Sequence, residues 1–314
     1  MNRIAVLALG GNALARGGEP ATITNQFLHA RESIAPIVQL ARDGWRIAIV
    51  HGNGPQVGDE LVRNELARRE VEPLPLGVLV AGTAGWIGYM LQQSLQNGLA
   101  SARVERQVVT LITQTLVDPY DPALSQPSKP IGHEVSAAAA EALAARGVAL
   151  RPDGNGRLRR LAASPRPQGV VEAALVRDLV NAGVIVIAAG GGGPPVYAHP
   201  LLGLEGVDGV VDKDLAAALL ARDLEAEALL ILTDVDAVYE NWGKPSAQPI
   251  RRLTRSRAEA MMADGAFGAG SMRPKVEAAL AFAGAGGGRA IIARLSDGPA
   301  ALAGQAGTTL VGDE

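Results

Sequence analysis

At 314 residues, 48% of them hydrophobic, the chain is long enough to bury about three quarters of the surface it would expose unfolded, so one large domain or two lobes with a sizeable core are expected. A formal net charge of −3 and only three phenylalanines, four tyrosines and three tryptophans leave no basic stacking surface for nucleic acid. The absence of cysteine excludes disulfides, thiolate metal sites and cysteine nucleophiles, and fits a reducing compartment.

The first apolar run, Ile4 to Leu9 in MNRIAVLALGGNAL, is too short for a signal segment or a membrane span and reads as a buried first strand. No later segment reaches transmembrane length without a charge or a Gly/Pro break, so no membrane partner and a cytoplasmic location are expected. Gly10-Gly11-Asn12 closes this strand and opens a helical stretch from Thr24 to Asp43, on which His29 reads as a decorating residue. A second strand, Ile47 to Val50, runs into His51-Gly52-Asn53-Gly54-Pro55, where His51 reads as bonding to the turn. Helical patterns over Asp59 to Arg69 and Trp86 to Asn97 lead to a strand from Val108 to Thr113. The four histidines show no metal-ligand spacing, and no metal site is predicted.

From Pro119 to Pro167 the rhythm breaks. This proline-rich stretch holds an alanine-rich helix (Ser136 to Arg146) and RPDGNGRLRR, whose Asp-Gly and Asn-Gly steps predict a hairpin, and it reads as an inserted flap. A helix from Val170 to Ala182 and a strand from Val184 to Ala189 then reach Gly190-Gly191-Gly192-Gly193. In VVDKDLAA, Asp212 and Asp214 flank Lys213 at the start of a helix ending near Leu224. The strand Leu229 to Thr233 ends in Asp234 and Asp236, which suit either a turn cap or a ligand contact. Gly268-Ala269-Gly270-Ser271 precedes a helix from Arg273 to Gly284, and a strand from Ala290 to Ala293 follows.

Strands apolar on both faces, alternating with helices, predict an α/β sandwich around a mainly parallel sheet. Ligands of such sheets bind beyond the carboxyl ends of the strands, where glycine brings backbone N–H groups close to an anion. Any one glycine turn also serves a tight βα connection. Four after successive strands fit a site that holds a phosphoryl donor and an acceptor together. No Walker-type G-x-x-x-x-G-K-[ST], no G-x-G-x-x-G opening the first helix and no G-x-S-x-G elbow occurs. Only four of the 29 basic residues are lysines, namely Lys129, Lys213, Lys244 and Lys275. Each sits in an irregular motif, where a compact ammonium on a flexible stem suits a moving phosphoryl group.

LALGGNAL, IVHGNGPQVG, WIGYMLQQ, QTLVDPYDPAL with PSKPIG, AAGGGGPPV, VVDKDLAAALLA, LLILTDVDAVYENWGKP and FGAGSMRPKVEAA, in this order across nearly the whole chain, resemble the carbamate kinases of the amino-acid kinase superfamily. The resemblance implies an open αβα sandwich with a protruding subdomain near 119–167. It implies an acceptor-binding lobe over 1–205, a nucleotide-binding lobe over 206–314, and a homodimer. The implied activity is reversible phosphoryl transfer between ATP, with Mg²⁺, and carbamate, through carbamoyl phosphate and ADP.

Relatives such as acetylglutamate kinase carry a catalytic lysine on the first strand where this chain has Ala8, and the resemblance nominates Lys129 of the flap in its place. Because phosphoryl transfer needs cations more than a base, Lys129 and Lys213 are assigned to the transferring group. Lys275 is assigned to the nucleotide phosphates, and Asp214 to orienting the lysines. Gly10, Gly11, Asn12, Gly52, Asn53 and Gly54 are the expected acceptor contacts. Gly191, Gly192, Asp234, Val235, Tyr239, Lys244, Ser271 and Met272 are the expected nucleotide contacts, with Lys244 at the rim. Gly77, Thr83 and Ala84 depart from the family's PLDVCGAMSQG, and GNGRLRRLAASP from GRGWRRVVPSP. A kinase of the same fold with another small carboxylate or phosphonate acceptor is therefore the second reading, and a non-catalytic nucleotide-binding regulator the third.

Overall fold

The six apolar runs of the sequence all become strands of one sheet. The computed structural model describes residues 3–11, 14, 19, 22–153, 156–267, 272–284 and 288–313. In chain order the first half contains β1 (Ile4–Leu9), α1 (Ile23–Ser33), α2 (Ala35–Arg42), β2 (Arg46–His51), α3 (Gly54–Ala67), α4 (Leu76–Ser101), β3 (Val108–Thr110), β4 (Thr115–Val117), β5 (Lys129–Glu134), α5 (Ala137–Ala144), β6 (Leu150–Pro152) and β7 (Leu158–Ala162). There follow β8 (Pro167–Val170), α6 (Ala173–Asn181), β9 (Ile185–Ile187), β10 (Pro195–His199), β11 (Gly203–Gly206), α7 (Lys213–Asp223), β12 (Ala228–Thr233), β13 (Val238–Glu240), β14 (Gln248–Ile250), β15 (Arg252–Thr254), α8 (Arg255–Ala263), α9 (Met272–Gly284), β16 (Arg289–Arg294), α10 (Gly298–Leu302) and β17 (Thr308–Val311).

The main sheet has eight strands in the order β15-β17-β16-β12-β1-β2-β9-β3. Its strands from β16 to β3 run parallel, and β17 pairs antiparallel with β16. In β1 every residue is buried, and the alternation of the strand splits it between two cores. Ile4, Val6 and Ala8 join side chains of α6, α7 and α9, whereas Ala5, Leu7 and Leu9 join those of α1, α2, α4 and α10. Helices cover both faces, and the αβα sandwich follows from strands that are apolar throughout. No helix among the described residues is long and apolar enough to cross a membrane.

Several expected boundaries move for local reasons. The single helix expected over 24–43 is two, because Pro36 in the first turn of α2 lacks the N–H that would continue α1. Helix α3 starts at Gly54 rather than Asp59, with Pro55 in the favoured first-turn position. The stretch 86–97 is part of a 26-residue helix, α4. The strand expected to run to Thr113 stops at Thr110, and the Thr113 hydroxyl instead accepts the Ala189 N–H at 2.8 Å. His29 does not decorate a surface, being 2% exposed.

Within the expected flap, β5, β7 and β6 form a separate three-stranded antiparallel sheet. The predicted hairpin is the β6–β7 pair, closed where the Asp153 N–H meets the Arg157 carbonyl at 2.8 Å. This sheet lies on α3, where a Cβ placed on Gly58 would come 1.8 Å from the Gly132 Cα. A second four-stranded sheet, β11-β10-β4-β8, flanks the main one.

Candidate active site

Beyond the carboxyl ends of β1, β2 and β12, the amino terminus of α7 points at the glycine turns. Asp212 caps this helix, its Oδ1 accepting the N–H groups of Asp214 at 2.9 Å and Leu215 at 3.3 Å. Lys213, the first helical residue, therefore leaves the helix toward the turns. Its stem lies against Gly52, where an added Cβ would sit 3.2 Å from the lysine Cδ and 3.8 Å from the Gly11 N.

Three lysines from distant parts of the chain meet here on two aspartates. The Lys213 ammonium donates to Asp214 Oδ1 at 2.5 Å, and that of Lys275, from the first turn of α9, to Asp214 Oδ2 at 3.3 Å. Lys129, at the start of β5, donates to Asp212 Oδ2 at 2.9 Å and to the Val211 carbonyl at 3.3 Å. Asp214 and Lys275 are 3% and 7% exposed, too deeply placed to be charged unless paired. Burial lowers the Lys275 pKa while Asp214 works against that shift. Burial likewise opposes ionisation of Asp212, but the Lys129 and Lys213 ammonium groups hold its carboxyl well below the usual range. The result is a preformed cationic cluster whose ammonium groups are fixed before any ligand arrives.

The Gly52–Gly54 and Gly190–Gly193 turns are fixed from behind. Asn53 Nδ2 donates at 2.9 Å to the buried Thr83 hydroxyl, which in turn donates to helix carbonyls of Leu79 or Val80. Thr83, one of the departures from the family pattern, thus keeps a hydroxyl that orients Asn53. His51 Nδ1 lies 3.0 Å from the Gly52 carbonyl, so the histidine does bond to its own turn. Burial lowers its pKa to about 4, the Gly52 and Ala84 carbonyls oppose the shift and Lys213 adds to it. The ring is therefore neutral near pH 7. The turn at Gly190–Gly193 is wholly buried, and three of its glycines have positive φ. A Cβ on Gly191 would strike the Asn53 side chain at 2.1 Å and one on Gly192 the Val211 carbonyl at 2.5 Å. These two residues, expected at the nucleotide, lie against Asn53 and Val211 and do not line the cleft described below.

A cleft of about 1210 Å³ opens from the cluster, lined by Gly10, Gly11, Lys213, Lys275 and Asp234. Tyr239 and Val235 follow Asp234 on the segment leaving β12, with the Tyr239 hydroxyl donating to Asp236 at 2.9 Å. Met272 opens α9 three residues before Lys275. Lys244 lies in an exposed turn between β13 and β14 and does not line the cleft. Asn12 and Ser271 fall outside the described residues. Three further charged groups were not singled out by sequence, Arg157, Arg159 and Arg294, which line the cleft. Asp212, noted only as flanking Lys213, receives Lys129. The signal for Asp212 was its helix-capping position; the arginines were hidden among 25 of their kind, the 29 basic residues less four lysines. No group of three or more metal-ligating side chains occurs among the described residues.

A family model described as the amino acid kinase family matches residues 3–294. The carbamate kinase of Escherichia coli O157:H7 is 46% identical over 307 residues, 97% of this chain and 98% of that protein. Carbamate kinase from Giardia lamblia bound to citric acid superimposes with a TM-score of 0.94 at 37% identity, covering 99% of both chains. The same enzyme bound to AMP-PNP gives 0.90 at 37% identity, again over 99% of each chain.

Proposed function

The chain belongs to the amino acid kinase family and, within it, to the carbamate kinases, and on that premise we propose that it transfers a phosphoryl group reversibly between ATP and carbamate. The observation that carries the reading is the meeting of Lys129, Lys213 and Lys275 on Asp212 and Asp214 beside the Gly10–Gly11 and Gly52–Gly54 turns. In the ATP-forming direction a terminal oxygen of ADP attacks the phosphorus of carbamoyl phosphate. The new P–O bond forms as the bond to the carbamate oxygen breaks, and the electron pair leaves with carbamate. The attacking oxygen is already anionic, so no base is required. This agrees with a neutral, buried His51 beside the cluster.

Lys129 and Lys213 neutralise the equatorial oxygens of the transferring group, and Lys275 the nucleotide phosphates, with Asp214 holding two of the three ammonium groups in place. Gly10, Gly11, Gly52, Asn53 and Gly54 receive the acceptor; Asp234, Val235, Tyr239 and Met272 receive the nucleotide. Mg²⁺ enters with the nucleotide as part of the substrate. All four carboxylate oxygens of Asp212 and Asp214 already accept hydrogen bonds, so its ligands come chiefly from phosphate oxygens and water. An acceptor-binding lobe over 1–205, a nucleotide-binding lobe over 206–314 and a homodimer belong to the same proposal. The assembly is checked by analytical ultracentrifugation.

The purified protein is expected to form ATP from ADP, Mg²⁺ and carbamoyl phosphate. Failure to do so, with ADP binding intact, rejects the proposal. Another carboxylate acceptor is not favoured: the relatives are carbamate kinases over their full length, and Thr83 preserves the hydroxyl that orients Asn53.

A further inference from the structure

Successive side chains of β7 turn to opposite faces of the flap sheet. Arg160 turns to α3, where it lies 3.7 Å from Glu65. Arg157, just before the strand, and Arg159 share the other face, and both line the cleft together with Gly10, Gly11, Lys213 and Lys275.

One carboxylate holds this pair. Asp153, whose side chain is 15% exposed, accepts Arg157 Nε at 3.0 Å and lies 2.9 Å from Arg157 Nη2 and 3.7 Å from Arg159 Nη1. Glu134 stands opposite Arg159 in the β5–β7 register but is exposed, and Glu32 and Asp234 line the cleft elsewhere. Among the described residues Asp153 is the carboxylate paired with the two arginines. Two guanidinium groups against one carboxylate leave positive charge on the wall of the cleft.

Arg159 is the more firmly seated of the two. Its Nη2 donates to the Gly132 carbonyl, and Gly132 is the residue pressed against Gly58 of α3. Gly58 lies one helical turn, about 6 Å, beyond Gly54, so Arg159 is fastened near the turn proposed above to receive the acceptor. The nucleotide contacts proposed above come from other elements, the segment leaving β12 and the start of α9. One Arg159 N–H group is given to Gly132, and Nε is shielded from water without a hydrogen-bond partner. The guanidinium therefore has donors to spare, in a planar fork that matches two oxygens of a phosphate.

We propose that Arg159 is a further substrate-binding residue: from the flap it donates to phosphate oxygens of carbamoyl phosphate, with Asp153 and the Gly132 carbonyl positioning its guanidinium and Arg157 adding charge beside it. The substrate named here rests on the function proposed above; the phosphate-binding role of Arg159 does not.

The test measures binding of inorganic phosphate to the full chain by calorimetry, at low and high NaCl, for wild type, Arg159→Gln and Arg159→Lys, beside KM for carbamoyl phosphate and for ADP. Arg159→Gln is expected to weaken phosphate binding and raise KM for carbamoyl phosphate about ten-fold, the scale of one hydrogen bond to a charged group, with KM for ADP within about two-fold. It should also flatten the fall of phosphate affinity with salt. Arg159→Lys, which keeps the charge but not the fork, should retain the wild-type salt dependence and lose about three-fold in affinity. A guanidinium that only braced the hairpin would leave the salt dependence unchanged in both variants. Should Arg159→Gln fail to fold, the wild type still decides: one arginine Nε–H signal in ¹H–¹⁵N spectra, absent from Arg159→Lys, should shift as phosphate is added, and its staying in place overturns the proposal. So does a wild type that binds no phosphate, an unchanged phosphate affinity or salt dependence in Arg159→Gln, or a rise in KM for ADP in place of carbamoyl phosphate. If phosphate binding responds as expected while no ATP forms from carbamoyl phosphate, the function proposed above fails and the role of Arg159 stands.

Discussion

Asp214 sits between two ammonium groups, 2.5 Å from that of Lys213 and 3.3 Å from that of Lys275, and is nearly inaccessible to solvent. A single carboxylate thus holds two lysines apart and, at Lys275, works against the burial that favours the neutral amine. Lys213 meets a further constraint, because its stem packs against Gly52. A planar guanidinium is wider than an ammonium and presents its donors in a fixed fork. Lys213→Arg is therefore expected to keep the charge and the fold but lower kcat at least about 100-fold, the loss typical of one misplaced transition-state donor. A turnover assay on a variant with unchanged melting behaviour checks this, and activity within about three-fold of wild type would refute the role. The three site lysines were legible because lysine is rare in this chain and stands in irregular motifs. Their partners were less so. Lys129 and Asp212 are 83 residues apart, and Lys275 and Asp214 61, so the ion pairs arise only through folding. The burial of His29 was invisible because its contacts, the Leu14 carbonyl and Glu19, lie in a loop that no periodicity describes.

At the scale of elements, the flap sheet hangs on α3, the helix that begins at Gly54, in the turn proposed above to receive the acceptor. Gly58 and Gly132 meet backbone to backbone, and Gly132 has a φ of +72°. Around that crossing Glu65 of α3 receives Arg146 from the end of α5 and Arg160 from β7, and Asp59 lies 3.2 Å from His133. The same β5 strand begins with Lys129, so its seat on α3 fixes how far that lysine reaches toward Asp212. A methyl group on Gly58 would sit 1.8 Å from the Gly132 Cα, and backbone cannot rotate away as a side chain would. Gly58→Ala should destabilise the protein by about 1–3 kcal/mol or more and cut kcat in whatever fraction stays folded. Urea denaturation alongside turnover tests this, and wild-type values of both would show that the crossing does not set the flap. The strands of the central sheet were readable from sequence since parallel strands are apolar on both faces. The amino-terminal half of α4 was not, because Gly77, Gly82 and Gly85 dilute its helical pattern. The edge strand β15 and its neighbour β17 are three and four residues long, too short for a period to declare itself.

Across the whole molecule the cleft carries more positive than negative charge. Lys129, Lys213, Lys275, Arg157, Arg159 and Arg294 outnumber the carboxylates Asp212, Asp214, Glu32 and Asp234 around it, even with Asp153 paired to Arg157 and Arg159. A chain with a net charge of −3 therefore concentrates cations in one concave region, which draws in polyanions and is strained by self-repulsion without them. A ligand that binds only the folded state stabilises it by mass action, by about 2.7 kcal/mol at one hundred times its Kd. With an unfolding entropy of about 2.1 cal/mol/K per residue, 314 residues give about 0.66 kcal/mol/K, so MgADP at that concentration should raise Tm by about 4 °C. AMP at the same concentration should raise it less, because it lacks the β-phosphate that the lysines are placed to meet. Lys275→Ala should remove most of the difference between the two nucleotides, since Lys275 is assigned to those phosphates. Differential scanning calorimetry reads all three quantities. Equal shifts for ADP and AMP would mean that the cluster does not contact the nucleotide's terminal phosphate, and an undiminished difference in Lys275→Ala would take the lysine of α9 out of that contact.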